Sequence, residues 1–163
     1  GISTGRCGPR TFRRWWSGSS SPVLRMADPV PRRPSLPAKV RLALRIWRWF
    51  FIARRNVNRR PLPVFVREFG TGPSSSRAGS LPPRYLSRAV DKALRVGGGE
   101  PTCLLKSLVL YRLLREQGDR AELVIGLPRE ARNHIAHAWV ELDGADVGPA
   151  PGRGRHVAVA RFG

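Results

Sequence analysis

Cys103 and His137 are the two residues of this chain whose types and settings suit covalent chemistry. Cys103 stands in the run Gly97-Gly98-Gly99-Glu100-Pro101-Thr102-Cys103-Leu104-Leu105, where a glycine-rich loop enters an apolar helix. A thiol at a helix N-terminus feels the positive end of the macrodipole, which favours the thiolate. Thirty-four residues on, Ala136-His137-Ala138-Trp139-Val140-Glu141 alternates as a strand does. A His on a neighbouring strand can serve such a thiol as its base, which gives a cysteine nucleophile with a histidine partner. The chain holds only two cysteines and three histidines, so some Cys–His pairing always exists, and a buried, inert Cys103 is the plainer alternative.

The elements that must position this pair are legible from periodicity. Residues 38–55 predict a helix with Arg41, Arg45 and Arg48 on a basic face and Leu42, Ile46, Trp49 and Phe50 on another, widened by Trp47, Phe51 and Ile52. Its plain use is packing on the domain; a membrane-surface contact or a partner-docking face are the others. Pro61 and Pro63 end that region, and Val64–Phe69 continues as a short strand or helix turn. A helix over 83–95 turns Leu86, Ala89, Val90, Ala93 and Leu94 inward. The central helix spans 102–117, with Pro101 in its first turn and Gly118 as its C-terminal cap. It is apolar nearly all round, which implies burial in the middle of the domain. The period then changes to two: strands are expected at 121–127, 136–142, from 146 to 148 and over 157–161, with Asp143-Gly144 as a hairpin turn. Helices followed by an antiparallel sheet make the class α+β.

The expected organisation is a disordered extension over 1–35, a basic helical segment over 36–69, a linker or loop over 70–83 and a core over 84–163. Met26, the only methionine, precedes the first periodic sequence, so residues 1–25 are expected to come from an extended reading frame or an artificially added segment rather than from the working protein. The net charge of +19 belongs to the N-terminal half: residues 26–60 carry ten basic residues against Asp28 alone, whereas residues 100–163 carry nine against eight. Such a half could attract nucleic acid, an anionic membrane surface or an acidic peptide. Cys7 and Cys103 form no CxxC spacing, so neither a zinc site nor a disulfide framework is expected, and a reducing, cytoplasmic setting fits. The stretch Val40 to Ala53 is too short and too charged to span a membrane. Arg13-Arg14-Trp15-Trp16 lacks the apolar run of a twin-arginine signal, and Gly97–Gly99 lacks the Gly-Lys-Ser/Thr ending of a phosphate loop.

The blocks Gly97 to Gly118, Ala121 to Gly126 and Ala136 to Gly144 together resemble the transglutaminase-like superfamily, with a papain-like core. Within it the chain resembles the lasso peptide biosynthesis B proteins of the split type, closely over residues 85–148. The resemblance implies a central apolar helix carrying the Cys, packed on a small antiparallel sheet carrying the His. It implies a cofactor-free cysteine peptidase that removes the leader from a ribosomally made precursor, before a separate ATP-dependent cyclase closes the macrolactam. A small leader-recognition protein would deliver the precursor, and no nucleic acid is expected. Cys103 would be the nucleophile and His137 the base, with the Cys103 backbone N–H as oxyanion donor. The family places an acid about twelve residues past the His, where this chain has Pro149. Asp146 is the nearest acid on the returning strand. A two-residue hairpin would set it opposite Glu141, roughly 13 Å along the strand from His137, so the site is either a dyad or is completed by another group. Trp139 shares the His137 face, as a core residue or as a cover for the substrate. His134 reads as a loop residue or a substrate contact, and His156 as a solvated residue of the tail. A catalytically silent scaffold for a peptide or nucleic acid, and an acyl transfer to an amine, are the alternatives to hydrolysis.

Overall fold

The computed structural model describes residues 35–72, 80–96, 102–129, 136–148 and 153–163. The expectations for residues 1–34, and those for His134 and Pro149, lie outside these. The order is four helices and then four strands: α1 Leu36–Asn56, α2 Leu62–Gly70, α3 Pro83–Arg95, α4 Cys103–Glu116, β1 Ala121–Pro128, β2 His137–Leu142, β3 Ala145–Gly148 and β4 His156–Phe162. The strands form one antiparallel sheet in the order β3-β2-β1-β4. The class is α+β, as the sequence implies.

Each outer helix buries one stripe against α4. In α1 it is Leu42, Ile46, Phe50 and Ala53; in α3 it is Leu86, Val90 and Leu94. The first set recurs at four- and three-residue steps and the second at four-residue steps, which bring side chains to one face. Val64–Phe69 is neither strand nor single turn but part of the nine-residue α2. Pro61 and Pro63 start this helix rather than forbid it, because a proline at the first positions lacks only an N–H that would have no helical partner. Phe65, Val66 and Phe69 are its buried face. Gly70 ends it against α4, where a Cβ would overlap the Tyr111 ring.

Helix α4 is the centre of the domain. Every residue from Lys106 to Leu114 is buried, with α1, α2 and α3 on one side and β1 and β2 on the other. The sequence implied this burial but not its two buried cations. Lys106 Nζ lies 3.0 Å from Asp91 Oδ1, and Arg95 meets the other oxygen at 2.9 Å. Burial pushes the Asp91 carboxyl up, but the hydrogen bond and charge of Lys106, reinforced by Arg95, hold it below the usual carboxylate range. The Arg112 guanidinium lies 4.4 Å from the centre of the Trp49 ring. It donates to the carbonyls of Phe69 (2.8 Å) and Thr71 (2.6 Å), which fastens the end of α2 to α4. Gln117 pairs both ways with the Leu81 backbone and so fixes the entry to α3.

Asp143 and Gly144 both adopt positive φ (49° and 79°), the geometry of a two-residue hairpin turn. Leu142 then pairs with Ala145, and Glu141 with Asp146. The sheet has two unlike faces, because successive side chains alternate. Ala121, Leu123 and Val140 join the helices in one core. Glu122, Val124 and Gly126 oppose Glu141, Trp139 and His137 on the other face.

Candidate active site

Cys103 is the first residue of α4, half-buried and free of any disulfide, with Thr102 as its N-cap. His137 is the first residue of β2 and is 8% exposed. Ser107, one turn along α4 from Cys103, donates its hydroxyl to the carbonyl of Ala138 at 2.9 Å, within the buried core. This bond pins the opening turns of the cysteine helix to the opening residues of the histidine strand. A buried hydroxyl left without an acceptor is costly, so the bond also specifies how far α4 slides along β2. The two elements meet at Ser107 and Ala138, close to Cys103 and His137 in the chain, while the His137 side chain itself lies on the sheet face that carries Trp139.

Two other rings lie near that of His137. Trp139, two residues on and on the same face, is stacked with it at 6.2 Å and 18°. His156 lies 4.9 Å away at 36°. The sequence placed His156 in a solvated tail. In the structure it opens β4, opposite Pro128 of β1, and is half-buried. Antiparallel pairing of β4 with β1 returns the chain to the start of β2, and that brings the second imidazole to the first. The Nδ1 of His156 stands 3.1 Å from the Arg153 carbonyl, which fixes the ring at the mouth of the strand.

Glycine at 126 makes the arrangement possible. Gly126 pairs directly with His137 on β1. A Cβ there would stand 2.6 Å from the Val157 carbonyl oxygen and 2.7 Å from the Trp139 ring. Real atoms do not approach so closely, so any larger residue must displace Trp139 or β4. Trp139 is in turn held by its ring nitrogen, which donates to Glu141 Oε1 at 2.8 Å. The other Glu141 oxygen accepts from Arg161 at 2.7 Å, and Arg161 also reaches Glu122 at 3.0 Å. Glu141 is 2% exposed. Burial pushes its carboxyl up, while the hydrogen bonds from Trp139 and Arg161 outweigh this and keep it below its ordinary range. A carboxylate anchored at both oxygens thus fixes the Trp139 wall beside His137.

Trp139 is therefore a buried wall of the site, fully enclosed. Asp146 sits opposite Glu141, four residues along β2 from His137, and its oxygens accept backbone N–H groups of Gly148 (2.8 Å) and Arg153 (2.6 Å). It ties the β3–β4 connection together. The bulge between Val140 and Glu141 lies beyond Asp146 and does not carry it toward His137. Sequence reasoning missed Ser107, Gly126, Glu141 and His156. For His156 a signal existed: the alternation of Val157 to Arg161 extends back by one residue. Among the described residues, no group of three His, Cys, Asp or Glu side chains is gathered that could hold a metal ion.

The Transglutaminase-like superfamily family model matches residues 39–161, from α1 into β4. No curated protein and no solved structure matches the chain. The match takes in Cys103, His137 and all or most of every described element of the domain. With four helices leading into a four-stranded antiparallel sheet, this chain belongs to the transglutaminase-like superfamily, in which cysteine-dependent catalysis is common.

Proposed function

We propose that this protein is a cysteine peptidase that removes the leader from a ribosomally made lasso peptide precursor. The observation that carries the enzymatic reading is the junction of α4 and β2. Cys103 opens the buried helix, His137 opens the strand, and Ser107 bonds the two elements one turn from the thiol. The precursor class rests on the resemblance of residues 85–148 to the split-type B proteins.

In this reading His137 takes the proton of the Cys103 thiol as the sulfur attacks the scissile carbonyl. The carbonyl oxygen becomes an oxyanion, met by the Cys103 backbone N–H at the positive end of α4. Collapse breaks the C–N bond, and His137 returns its proton to the leaving amine, which is the new N-terminus of the core peptide. A water, deprotonated by His137, then cleaves the thioester and releases the leader with a free carboxylate. Trp139 and His156 pack near the imidazole and limit its rotation. A small leader-recognition protein delivers the precursor, and an ATP-dependent cyclase uses the freed amine.

The test is cleavage of a candidate precursor, with and without its leader-binding partner, read by mass spectrometry. Wild type is expected to release a leader fragment and Cys103→Ala none. Equal cleavage by both proteins would refute the assignment. A product extended by an added amine instead of a new carboxylate would replace hydrolysis by acyl transfer. The engagement of both Asp146 oxygens by backbone favours one further reading, a silent peptide-binding scaffold. Folded wild type that cleaves nothing but still retains the leader would support it.

A further inference from the structure

Helix α1 has a second apolar stripe, on the side away from the core. Leu36, Val40, Leu44 and Phe51 are 77%, 58%, 66% and 59% exposed. Steps of four, four and seven residues put Leu36, Val40, Leu44 and Phe51 on one line along the helix, with the half-buried Trp47, which also packs against the core, between Leu44 and Phe51. That line runs roughly 22 Å at the usual rise. The Trp47 and Phe51 rings meet at 5.6 Å and widen its C-terminal half. Arg41, Arg48 and Arg55 recur every seven residues along one edge, and Arg54 closes the C-terminal end. None of these four forms a salt bridge with another described residue. The helix contains no Asp or Glu at all.

Charge decides what can cover this stripe. Residues 1–34 carry seven arginines against Asp28 alone, so their charge does not complement the rim. A second copy would set one basic rim against another. The occupant must be anionic, and it must accept a convex apolar ridge rather than fill a groove. A helix with Lys and Arg on its polar face and Trp, Phe and Leu on its apolar one lies in the plane of a bilayer interface, its arginines reaching the headgroups. No described helix is long and apolar enough to cross a membrane, so the contact is one of lying on the surface. We propose that the outer stripe of α1 docks the domain on an anionic lipid surface. The inner face stays in the core, so the domain binds folded, and the proposal stands independently of the peptidase reading.

The test uses the full chain with vesicles of equal parts phosphatidylglycerol and phosphatidylcholine, and with phosphatidylcholine alone. Co-sedimentation is expected with the anionic vesicles only, accompanied by a blue shift of tryptophan emission that Trp47→Phe diminishes. The double variant Leu44→Asp, Phe51→Asp alters exposed positions and should keep the wild-type circular dichroism. It is expected to lose anionic-vesicle binding by about tenfold or more. Arg48→Gln with Arg55→Gln should weaken binding in the same way, because each arginine near an anionic surface adds attraction. Binding unchanged in Leu44→Asp, Phe51→Asp would assign the attraction to the basic N-terminal residues and overturn the proposal. So would a wild type that ignores the vesicles but is bound through this stripe by an acidic protein.

Discussion

Replacing Glu141 with Leu should destabilise the fold through one atom above all, the ring nitrogen of Trp139. That N–H donates to Glu141 Oε1 at 2.8 Å, and both residues are buried. Leucine leaves the donor without an acceptor in a place water does not reach, which costs about 1–3 kcal/mol. The Arg161 contact adds little, since its guanidinium is half-exposed and screened by water. Glu141→Gln keeps an oxygen for Trp139 and should recover most of the loss. Equilibrium urea denaturation of the three proteins measures this directly. The pH dependence gives a second reading. The Glu141 carboxyl is held below its ordinary range in the folded state, so its contribution is full above the ordinary value and fades as pH falls through the lowered one. The wild type should therefore lose stability below about pH 4, and both variants should lose less of theirs over the same interval. A Leu variant within about 0.5 kcal/mol of wild type, or a Gln variant as weak as the Leu, would refute the claim that the Trp139 donor depends on this carboxylate.

Gly126→Ala drives a methyl into the Trp139 ring and the Val157 carbonyl; it should cost about 1–3 kcal/mol by denaturation and lower kcat more than it changes KM. His156→Ala removes one of the two rings against His137, so cleavage of the proposed precursor should slow in kcat while urea denaturation changes little; an unchanged kcat would remove His156 from the site. Asp91→Ala strands Lys106 as a buried, uncompensated charge and should destabilise by about 3 kcal/mol, whereas the Lys106→Met, Asp91→Ala double variant should recover most of that in thermal melts.

What was legible in the sequence follows from what local pattern can encode. The stripes of α1, α3 and α4 and the Asp143-Gly144 turn are local, and the structure has each of them close to the expected bounds. Counting residues from that turn correctly set Asp146 opposite Glu141. The two prolines around Leu62 act as a break or as a helix start depending on what Phe65 and Phe69 can be buried against, and that is a tertiary fact. Lys106 and Arg112 read as interruptions of an apolar helix because their partners, Asp91 and the Phe69 and Thr71 carbonyls, come from distant elements. His156 reached the site only through the pairing of β4 with β1, a contact across some thirty residues of chain. Cys103 and His137 were legible because helix start and strand start are themselves local signals. The docking of their two elements was not, since it depends on Ser107 and Ala138 meeting across the core.

The central claim, that Cys103 and His137 act on one another, is tested most directly without a substrate. The rate of alkylation of Cys103 by iodoacetamide would be compared at neutral pH in wild type and in His137→Ala, by mass spectrometry of the peptide containing Cys103, so that Cys7 does not contribute. The account predicts that Cys103 is alkylated severalfold faster in wild type than in the folded His137→Ala variant, because the imidazole assists the thiol. Equal rates in the two proteins would contradict it.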